Sequence, residues 1–326
     1  MTRLEQMIWK SAPVSFLTLK SKTLVMPGFR GVPLYDVVRF FFRQIKKVGL
    51  NERAAAISFN LIMALPAGIL FLFSLIPYFP NAINLQKEIL AIFKDISPNS
   101  QTHQFIENLV NDLLLQPHAG VFSFGFLALV FYTSNAMIGI IRSFDRSIQE
   151  RTRKFFLHKR MRAIRLTLIL IVLVLITTFL LLVGKEQLIY LMRHVLKMRR
   201  ADRALWWNST RWIIIIALLF YGVAVIYKFA PSVKKRWKLV SPGSILATFL
   251  IMITTILFSY WVNNFGSYNK IYGSIGTMLI IMILIYINSL ILLIGFELNV
   301  SIAYLTKESE ERIHKEEVAL EQKVLN

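Results

Sequence analysis

Six runs of residues without Asp, Glu, Lys or Arg constrain the fold of this 326-residue chain more than any other feature. A helix needs about 20 residues to cross the roughly 30 Å hydrocarbon core of a membrane. The runs cover residues 54–84, 118–141, 166–184, 212–227, 239–269 and 271–296, and the fourth is the shortest. We therefore predict an all-α, polytopic integral membrane protein with about six transmembrane helices.

The charges between these runs predict the orientation. Of the 38 Lys and Arg residues, 28 lie in segments 1–53, 142–165, 228–241 and 307–326, which alternate with the remaining loops. Loops rich in Lys and Arg stay on the cytoplasmic side of a membrane. Both termini are therefore predicted to be cytoplasmic. The apolar share of 56% exceeds the 45–50% typical of soluble domains and agrees with a membrane protein.

Three regions follow from this pattern. Residues 1–53 form a cytoplasmic segment, 54–305 the six-helix transmembrane domain, and 306–326 a charged cytoplasmic tail at helical spacing. Within the first, residues 32–48 predict a basic amphipathic helix suited to an anionic membrane surface, as a topology anchor or as a regulatory element. Its apolar stripe consists of Leu34, Val38, Phe41, Ile45 and Val48.

The loop between the third and fourth runs is basic although it lies on the predicted outer side. It is either an interfacial helix whose charges the other loops outweigh, or a cationic collar that attracts anionic headgroups or an acidic substrate. The residues of this candidate collar are Arg193, Lys197, Arg199, Arg200 and Arg203.

Polar residues inside the spans are the candidates for function, because each is costly unless it is paired or lines a cavity. Glu297 is either an acid bonded to a neighbour such as Arg53, or a group that couples protons, cations or substrate. Pro66 is expected to kink or break the first span. The polar patch that ends in Asn135 either contacts substrate or forms hydrogen bonds between helices. The substrate- or ion-path candidates are Ser58, Asn60, Pro66, Asn135, Tyr272, Gly273, Asn288, Glu297 and Asn299.

The last span carries polar residues on two faces. Asn288, Gly295 and Asn299 share one face, and Tyr286, Glu297 and Ser301 share another. A helix facing lipid is not expected to be polar on both sides, so this span is predicted to be central. Before it, residues 261–276 contain three glycines and predict a compact turn that could act as an outer gate.

No catalytic constellation is apparent. The chain has no cysteine, its five histidines are scattered, and it has neither a phosphate-binding Gly-rich loop nor a nucleophile elbow. The cations follow membrane topology and match no nucleic-acid-binding motif. We therefore expect a protein that is not an enzyme, with no metal, no cofactor and no nucleic-acid partner.

Four motifs together resemble the YihY/BrkB family of bacterial inner-membrane proteins. They are RAAAISFNLIMALP (53–66), PGSILATFL (242–250), IYGSIGTM (271–278) and LLIGFELN (292–299), where Phe296 replaces the usual Ala. The positions that match the family are Arg53, Pro66, Tyr272, Gly273, Gly276, Gly295, Glu297 and Asn299. The resemblance covers about residues 35–305 and implies six spans in the inner membrane.

The resemblance implies little mechanism. Family members have been called virulence factors, and some have been linked to export of small molecules or lipids, or to cation/proton exchange. A ribonuclease label also attaches to the family, and the missing metal ligands argue against it here. We expect a transporter, exporter or flippase-like protein for an amphiphilic or anionic envelope substrate, in contact with the phospholipid membrane. The alternative is a non-transporting inner-membrane scaffold that supports envelope integrity, and the sequence leaves the oligomeric state open.

Overall fold

The computed structural model of the chain describes residues 20–22, 24–29, 31–75, 77, 119–148, 156–182, 190, 199–233, 237–264 and 267–325. Seven helices follow one another in these residues, and no strand occurs among them. They are α1 (Leu34–Lys47), α2 (Leu50–Leu75), α3 (Ala119–Ser147), α4 (Phe156–Leu182), α5 (Arg200–Phe229), α6 (Pro242–Asn264) and α7 (Ser267–Leu325). Helices α2 to α7 each contain a stretch long and apolar enough to cross a membrane. The predicted all-α membrane fold with six spans is confirmed.

The spanning helices extend beyond the charge-free runs at one end of the bundle. Arg53 lies in α2, Asp145 in α3 and Arg162 in α4, although the runs stop short of all three. Each of these side chains has hydrogen-bonding or ionic partners inside the bundle. A paired charge between helices costs much less than a charge facing lipid, so these helices can continue past the first charge.

Helix α7 occupies the centre of the bundle, as its two polar faces predicted. It packs against α6, α2, α1 and α3, while α2 pairs with α3, and α4 with both α3 and α5. In the apolar core the rings of Phe144 and Phe296 stack with centroids 3.6 Å apart. Tyr227 and Trp237 pack against the Phe296 ring, so an aromatic cluster joins α3, α5 and α7.

Small residues let α6 and α7 approach each other closely. A Cβ added at Gly295 would lie 2.5 Å from the Tyr227 hydroxyl oxygen and 2.7 Å from both the Gly243 carbonyl oxygen and the Ala247 Cβ. Such distances leave no space for any side chain at position 295. Close backbone approach through small residues is a common basis of helix association in membranes, where no hydrophobic effect drives helices together.

Two ends of the bundle differ in packing. We call the end that holds Arg53, Asp145, Arg162, Ser241 and Glu297 the polar end. We call residues 209–222 of α5, 249–261 of α6 and 279–288 of α7 the opposite half. Among the described side chains of the opposite half, only Ile280 is buried, whereas the next stretches of the same helices toward the polar end are largely buried.

Helix α1 lies lengthwise and antiparallel along α7. Gln44 is close to Glu297, and the ring of Phe40 stacks on Tyr304 with centroids 4.8 Å apart. Later residues of α1 thus meet earlier residues of α7. The helix therefore leans on the last span and its extension.

The buried face of α1 also differs by one residue from the predicted stripe. Val37 is fully buried in a cluster with Ile302, whereas Val38 is 40% exposed. Leu34 and Ile45 do pack inward, so the stripe holds at these positions. Packing against the neighbouring helix, rather than periodicity alone, decides which of two adjacent valines is covered.

Two local expectations are changed by the structure. Helix α2 runs through Pro66 without a break, so only a kink remains compatible with this proline. The predicted turn over 261–276 is wrong for most of its length, because α6 continues to Asn264 and α7 begins at Ser267. Glycine permits a turn without enforcing one, and it is common inside membrane helices. Helix α7 also continues without interruption into the predicted tail at 306–326.

Candidate functional site

A buried acid–base pair joins three spans at the polar end. The Arg53 Nη1 atom of α2 lies 3.6 Å from Glu297 Oε1 of α7, and both side chains are buried. Arg53 Nη1 also donates hydrogen bonds to the Ser147 hydroxyl at 2.8 Å and to the Ser143 carbonyl oxygen at 3.1 Å. The Ser147 hydroxyl in turn donates to Glu297 Oε1. We call Arg53, Ser147 and Glu297 the ion-pair cluster.

The carboxylate of this cluster is only half satisfied. Glu297 is completely buried, and its Oε2 atom has no hydrogen-bond partner among the described residues. Gln44 of α1 lies near the carboxylate without completing a hydrogen bond to that oxygen. An unsatisfied oxygen on a buried charge is costly and calls for an explanation by structure or by function.

A second polar cluster fastens α3, α4 and the end of α5. Asp145 accepts hydrogen bonds from the Ser232 amide at 3.0 Å and the Ser232 hydroxyl at 3.2 Å, and its Oδ2 atom lies 3.4 Å from Lys159 Nζ. Arg162 donates to the same Ser232 hydroxyl at 2.8 Å and to the Ala230 carbonyl oxygen at 3.2 Å. Asp145 is thus matched by a nearby cation and by hydrogen-bond donors.

A third polar contact holds the beginning of α6 against α7. The Asn299 Oδ1 atom accepts the Gly243 amide at 2.9 Å, and its Nδ2 atom donates to the Ser241 hydroxyl at 2.9 Å. The first amides of a helix lack partners within that helix, so Asn299 satisfies one of them from outside. With the close approach at Gly295, this contact fixes α6 on α7.

Several predicted site residues form local or helix–helix bonds. The Ser58 hydroxyl donates to Ala55 and the Asn60 amide to Ala56, each within α2. Asn135 of α3 accepts a 2.5 Å hydrogen bond from Arg160 of α4, in keeping with the helix–helix role expected as an alternative. Pro66 is exposed on α2, away from the ion-pair cluster.

The remaining predicted residues separate into two groups. Asn288 lies in α7 with a buried Oδ1 atom that has no partner, two and a half turns from Glu297. Tyr272 and Gly273 lie in the first turns of α7, and their side chains are outside the described part of the chain. In the candidate collar, Arg193 and Lys197 lie outside the described residues, Arg199 is exposed before α5, and the side chains of Arg200 and Arg203 are not described.

Sequence reasoning missed Ser147, Asp145 and Arg162 as parts of a buried network. All three fell in what was taken for a basic cytoplasmic loop, because they lie outside the charge-free runs. A serine one helical turn after Ser143, on the same face, was the only available signal for Ser147. The family motif at 292–299 did mark Glu297 and Asn299, which the structure places against α2 and α3 and against α6, respectively.

No group of three or more metal-ligating side chains occurs in the part of the chain that the structure describes. The clusters found there consist of arginine, lysine, serine, asparagine and single carboxylates. Such groups can bind an anion, hold helices together or exchange partners during a conformational change.

The fold and these clusters define an integral membrane protein with six spans around a polar central helix. The chain matches the family described as Virulence factor BrkB over residues 41–320, and it belongs to that family. The predicted resemblance is confirmed.

Relatives agree with this assignment. The ribonuclease-like protein YfkH of Bacillus subtilis (strain 168) is 26% identical over 251 residues, covering 76% of this chain and 88% of YfkH. A UPF0761 membrane protein of Xanthomonas campestris pv. campestris (strain B100) is 24% identical over 270 residues, which are 81% of this chain but only 60% of the relative. One from Tolumonas auensis is 32% identical over 81 residues, 25% of this chain and 27% of the relative. No solved structure matches the chain.

Proposed function

We propose that the protein is a transporter, exporter or flippase-like protein of the bacterial inner membrane, without enzymatic activity of its own. Its substrate is an anionic or amphiphilic envelope molecule. The observation that carries the proposal is the ion-pair cluster, which joins α2, α3 and α7 and leaves Glu297 Oε2 without a partner. A contact that must open and reform during transport gains from being incompletely satisfied, whereas a permanent contact does not.

The uneven packing supports the same proposal. The polar end is closed by three polar clusters, while the opposite half of α5, α6 and α7 has almost no buried side chain among its described residues. Three helices held together at one end and loosely packed at the other resemble one state of an alternating-access cycle. In that cycle the polar end opens when the opposite half closes.

Buried polar oxygens without partners provide further support. Besides Glu297 Oε2, the described residues contain three: Thr167 Oγ1 in α4, Thr248 Oγ1 in α6 and Asn288 Oδ1 in α7. In a membrane, polar groups of this kind commonly mark substrate or ion paths. They offer hydrogen-bond acceptors and donors to a passing headgroup.

We further propose that the polar end faces the cytoplasm and that both termini are cytoplasmic. The basic segments that flank the spans lie at this end, as the positive-inside rule requires. The exposed Arg199 and Arg211 then lie on the outer side, where they favour an anionic substrate. We propose no nucleic-acid partner, although YfkH carries a ribonuclease-like name.

A non-transporting scaffold is the second candidate, and the extension of α7 favours it. This helix continues to Leu325, well past the bundle, and exposes Ile313 and Val318 among its charged residues. A protruding helix with exposed apolar side chains suits a partner protein. In the scaffold proposal, the ion-pair cluster matters for folding only.

The experiment is a lipid-translocation assay on the whole protein in phosphatidylcholine/phosphatidylglycerol vesicles. The probe is phosphatidylglycerol carrying a fluorescent label that an external reductant quenches only in the outer leaflet. We expect protected fluorescence to be lost faster than in protein-free vesicles. Glu297→Gln should lower the translocation rate by about tenfold or more. That estimate follows from the roughly 1.5–3 kcal/mol contributed by a hydrogen bond to a charged group.

Glu310→Gln is the matched control, because Glu310 is an exposed carboxylate on the same helix. It is expected to translocate the probe at the wild-type rate. Equal rates for wild type, Glu297→Gln and protein-free vesicles would contradict the flippase form of the proposal and favour the scaffold.

A further inference from the structure

A groove of about 560 Å³ lies between α1 and the part of α7 that extends beyond the bundle. Asp36, Arg39 and Arg43 line it from α1, and Glu308 and Arg312 line it from α7. The stacked rings of Phe40 and Tyr304 also border this groove. It is separate from the ion-pair cluster, which lies further along α1 next to Gln44.

The charges in the groove are not balanced by pairing. On α7, Arg312 lies 2.5 Å from Glu308 and is neutralised by it. On α1, Arg39 and Arg43 lie one helical turn apart, and neither forms an ion pair with any described residue. Two guanidinium groups therefore face one concave surface with their hydrogen-bond donors available for an anion.

Apolar side chains lie beside these arginines on the same helix. Val38 and Phe42 are 40% and 58% exposed, and the cation Lys46 is exposed one turn further on. Exposed aromatic and aliphatic side chains interleaved with cations are typical of a helix in contact with the membrane interface.

We propose that this groove binds the phosphate of an anionic phospholipid headgroup. Arg39 and Arg43 bind the phosphate oxygens, for which the planar guanidinium offers paired donors. Val38 and Phe42 contact the lipid beside its headgroup. Asp36 and Glu308 lie at the same surface and accept hydrogen bonds from headgroup hydroxyls, which favours a hydroxyl-bearing headgroup such as glycerol.

The site is independent of the proposed transport. It is separate from the ion-pair cluster, and its occupant tethers α1 to α7 without having to cross the membrane. Its failure would therefore leave the translocation proposal intact, and the reverse also holds.

The test measures lipid binding to the full chain in a neutral detergent by native mass spectrometry. The probes are dioleoyl-phosphatidylglycerol and dioleoyl-phosphatidylcholine. We expect tighter binding of phosphatidylglycerol to the wild type, and about 25-fold weaker binding with R39Q/R43Q, because each arginine near an anionic surface contributes about fivefold. Phosphatidylcholine binding should stay unchanged.

K46Q/R142Q is the matched control, since it also removes two exposed positive charges but none that lines the groove. It should bind phosphatidylglycerol within about twofold of the wild type. Equal weakening by K46Q/R142Q and R39Q/R43Q would overturn the site in favour of general charge attraction. R39K/R43K, which keeps both charges, should lose less binding than R39Q/R43Q.

A competition arm distinguishes the two sources of phosphate. Inorganic phosphate at the same molar concentration as the lipid should not displace bound phosphatidylglycerol from the wild type. Displacement by inorganic phosphate at that concentration would overturn the lipid assignment and indicate a site for a soluble anion. Thermal unfolding of each variant in the same detergent should match the wild type, because neither arginine forms an ion pair within the described part of the chain.

Discussion

Helices α5, α6 and α7 pack differently at the polar end and in the opposite half of the bundle. At the polar end, Arg53 and Asn299 bond to another helix, Asp145 accepts hydrogen bonds from Ser232 just after α5, and Gly295 lets α6 touch α7. In the opposite half, α5, α6 and α7 present exposed side chains such as Ile213, Leu257 and Ile283. The contrast shows that polar contacts and small residues, rather than apolar surface, determine where these helices associate.

The apolar lipid environment explains this contrast between the polar end and the opposite half. Apolar side chains gain little by leaving lipid for one another, so an apolar helix surface does not by itself choose a neighbour. Hydrogen bonds, charge pairs and close packing determine which helices become neighbours. The predictions below disturb each of these in turn and are ordered by the expected change in the free energy of unfolding.

The largest effect is expected for Arg53→Met. This change leaves Glu297 as a buried carboxylate without its cation, which destabilises a protein by about 3–5 kcal/mol. The double variant R53M/E297M removes both charges and should recover most of that loss, because a buried pair can be replaced by apolar groups at little cost. Chemical unfolding in detergent measures both. A double variant as unstable as Arg53→Met would contradict the pairing.

Gly295→Ala should follow, with a loss of about 1–3 kcal/mol from overpacking. Its added Cβ would collide with Tyr227, Ala247 and Gly243, so α6 and α7 must move apart. Gly222→Ala is the control, because a Cβ at Gly222 in the opposite half meets nothing within 4 Å. Thermal unfolding of the two variants should separate them clearly. If Gly222→Ala were as harmful, the difference between the two ends would not hold.

Tyr227→Phe should cost about 1 kcal/mol, the usual value of one hydrogen bond. The Tyr227 hydroxyl donates to the Leu292 carbonyl oxygen at 2.6 Å in the buried core. Tyr221→Phe, on the same helix but half-exposed, provides the comparison and should leave stability unchanged. Loss of stability in both variants would point to a general effect of the hydroxyl at the lipid surface.

Leu257→Ala should have the smallest effect, less than about 0.5 kcal/mol, because Leu257 is exposed in the opposite half. Leu293→Ala, at a fully buried leucine of α7, should cost about 2–5 kcal/mol. Unfolding of the two leucine variants side by side measures the packing contrast directly. Similar losses would mean that the opposite half is packed as tightly as the polar end.

Hydropathy was sufficient to predict the six spans, and the two polar faces of α7 were sufficient to predict its central position. The chain carries long apolar runs that only a membrane accommodates, and each run fixes one helix. The sequence was less informative about which residue on another helix each polar side chain contacts. Glu297 and Arg53 could be suggested as a pair, but the bridging Ser147 could not, since nothing in a sequence tells which helix faces a given serine.

The errors in the predictions from sequence have a common physical origin. Ending a span at the first charge excluded Asp145 and Arg162, although charges are tolerated inside a bundle when they meet partners. The turn at 261–276 was inferred from glycines, which allow a helix as readily as a turn within an apolar stretch. In both cases the sequence shows the residue, while the neighbouring helix decides its role.

The central claim is that the ion-pair cluster closes the polar end reversibly. Because the chain has no cysteine, spin labels can be placed at Arg142→Cys and Glu310→Cys alone, both exposed, on α3 and α7. Electron-spin distance measurements in lipid nanodiscs should show two populations that shift to the longer distance with Glu297→Gln. A reference pair at Arg142→Cys and Leu157→Cys, held by Asp145 and Lys159, should not shift. One unchanged distance for the first pair, with and without Glu297→Gln, would contradict a reversible closure and favour a permanent structural contact.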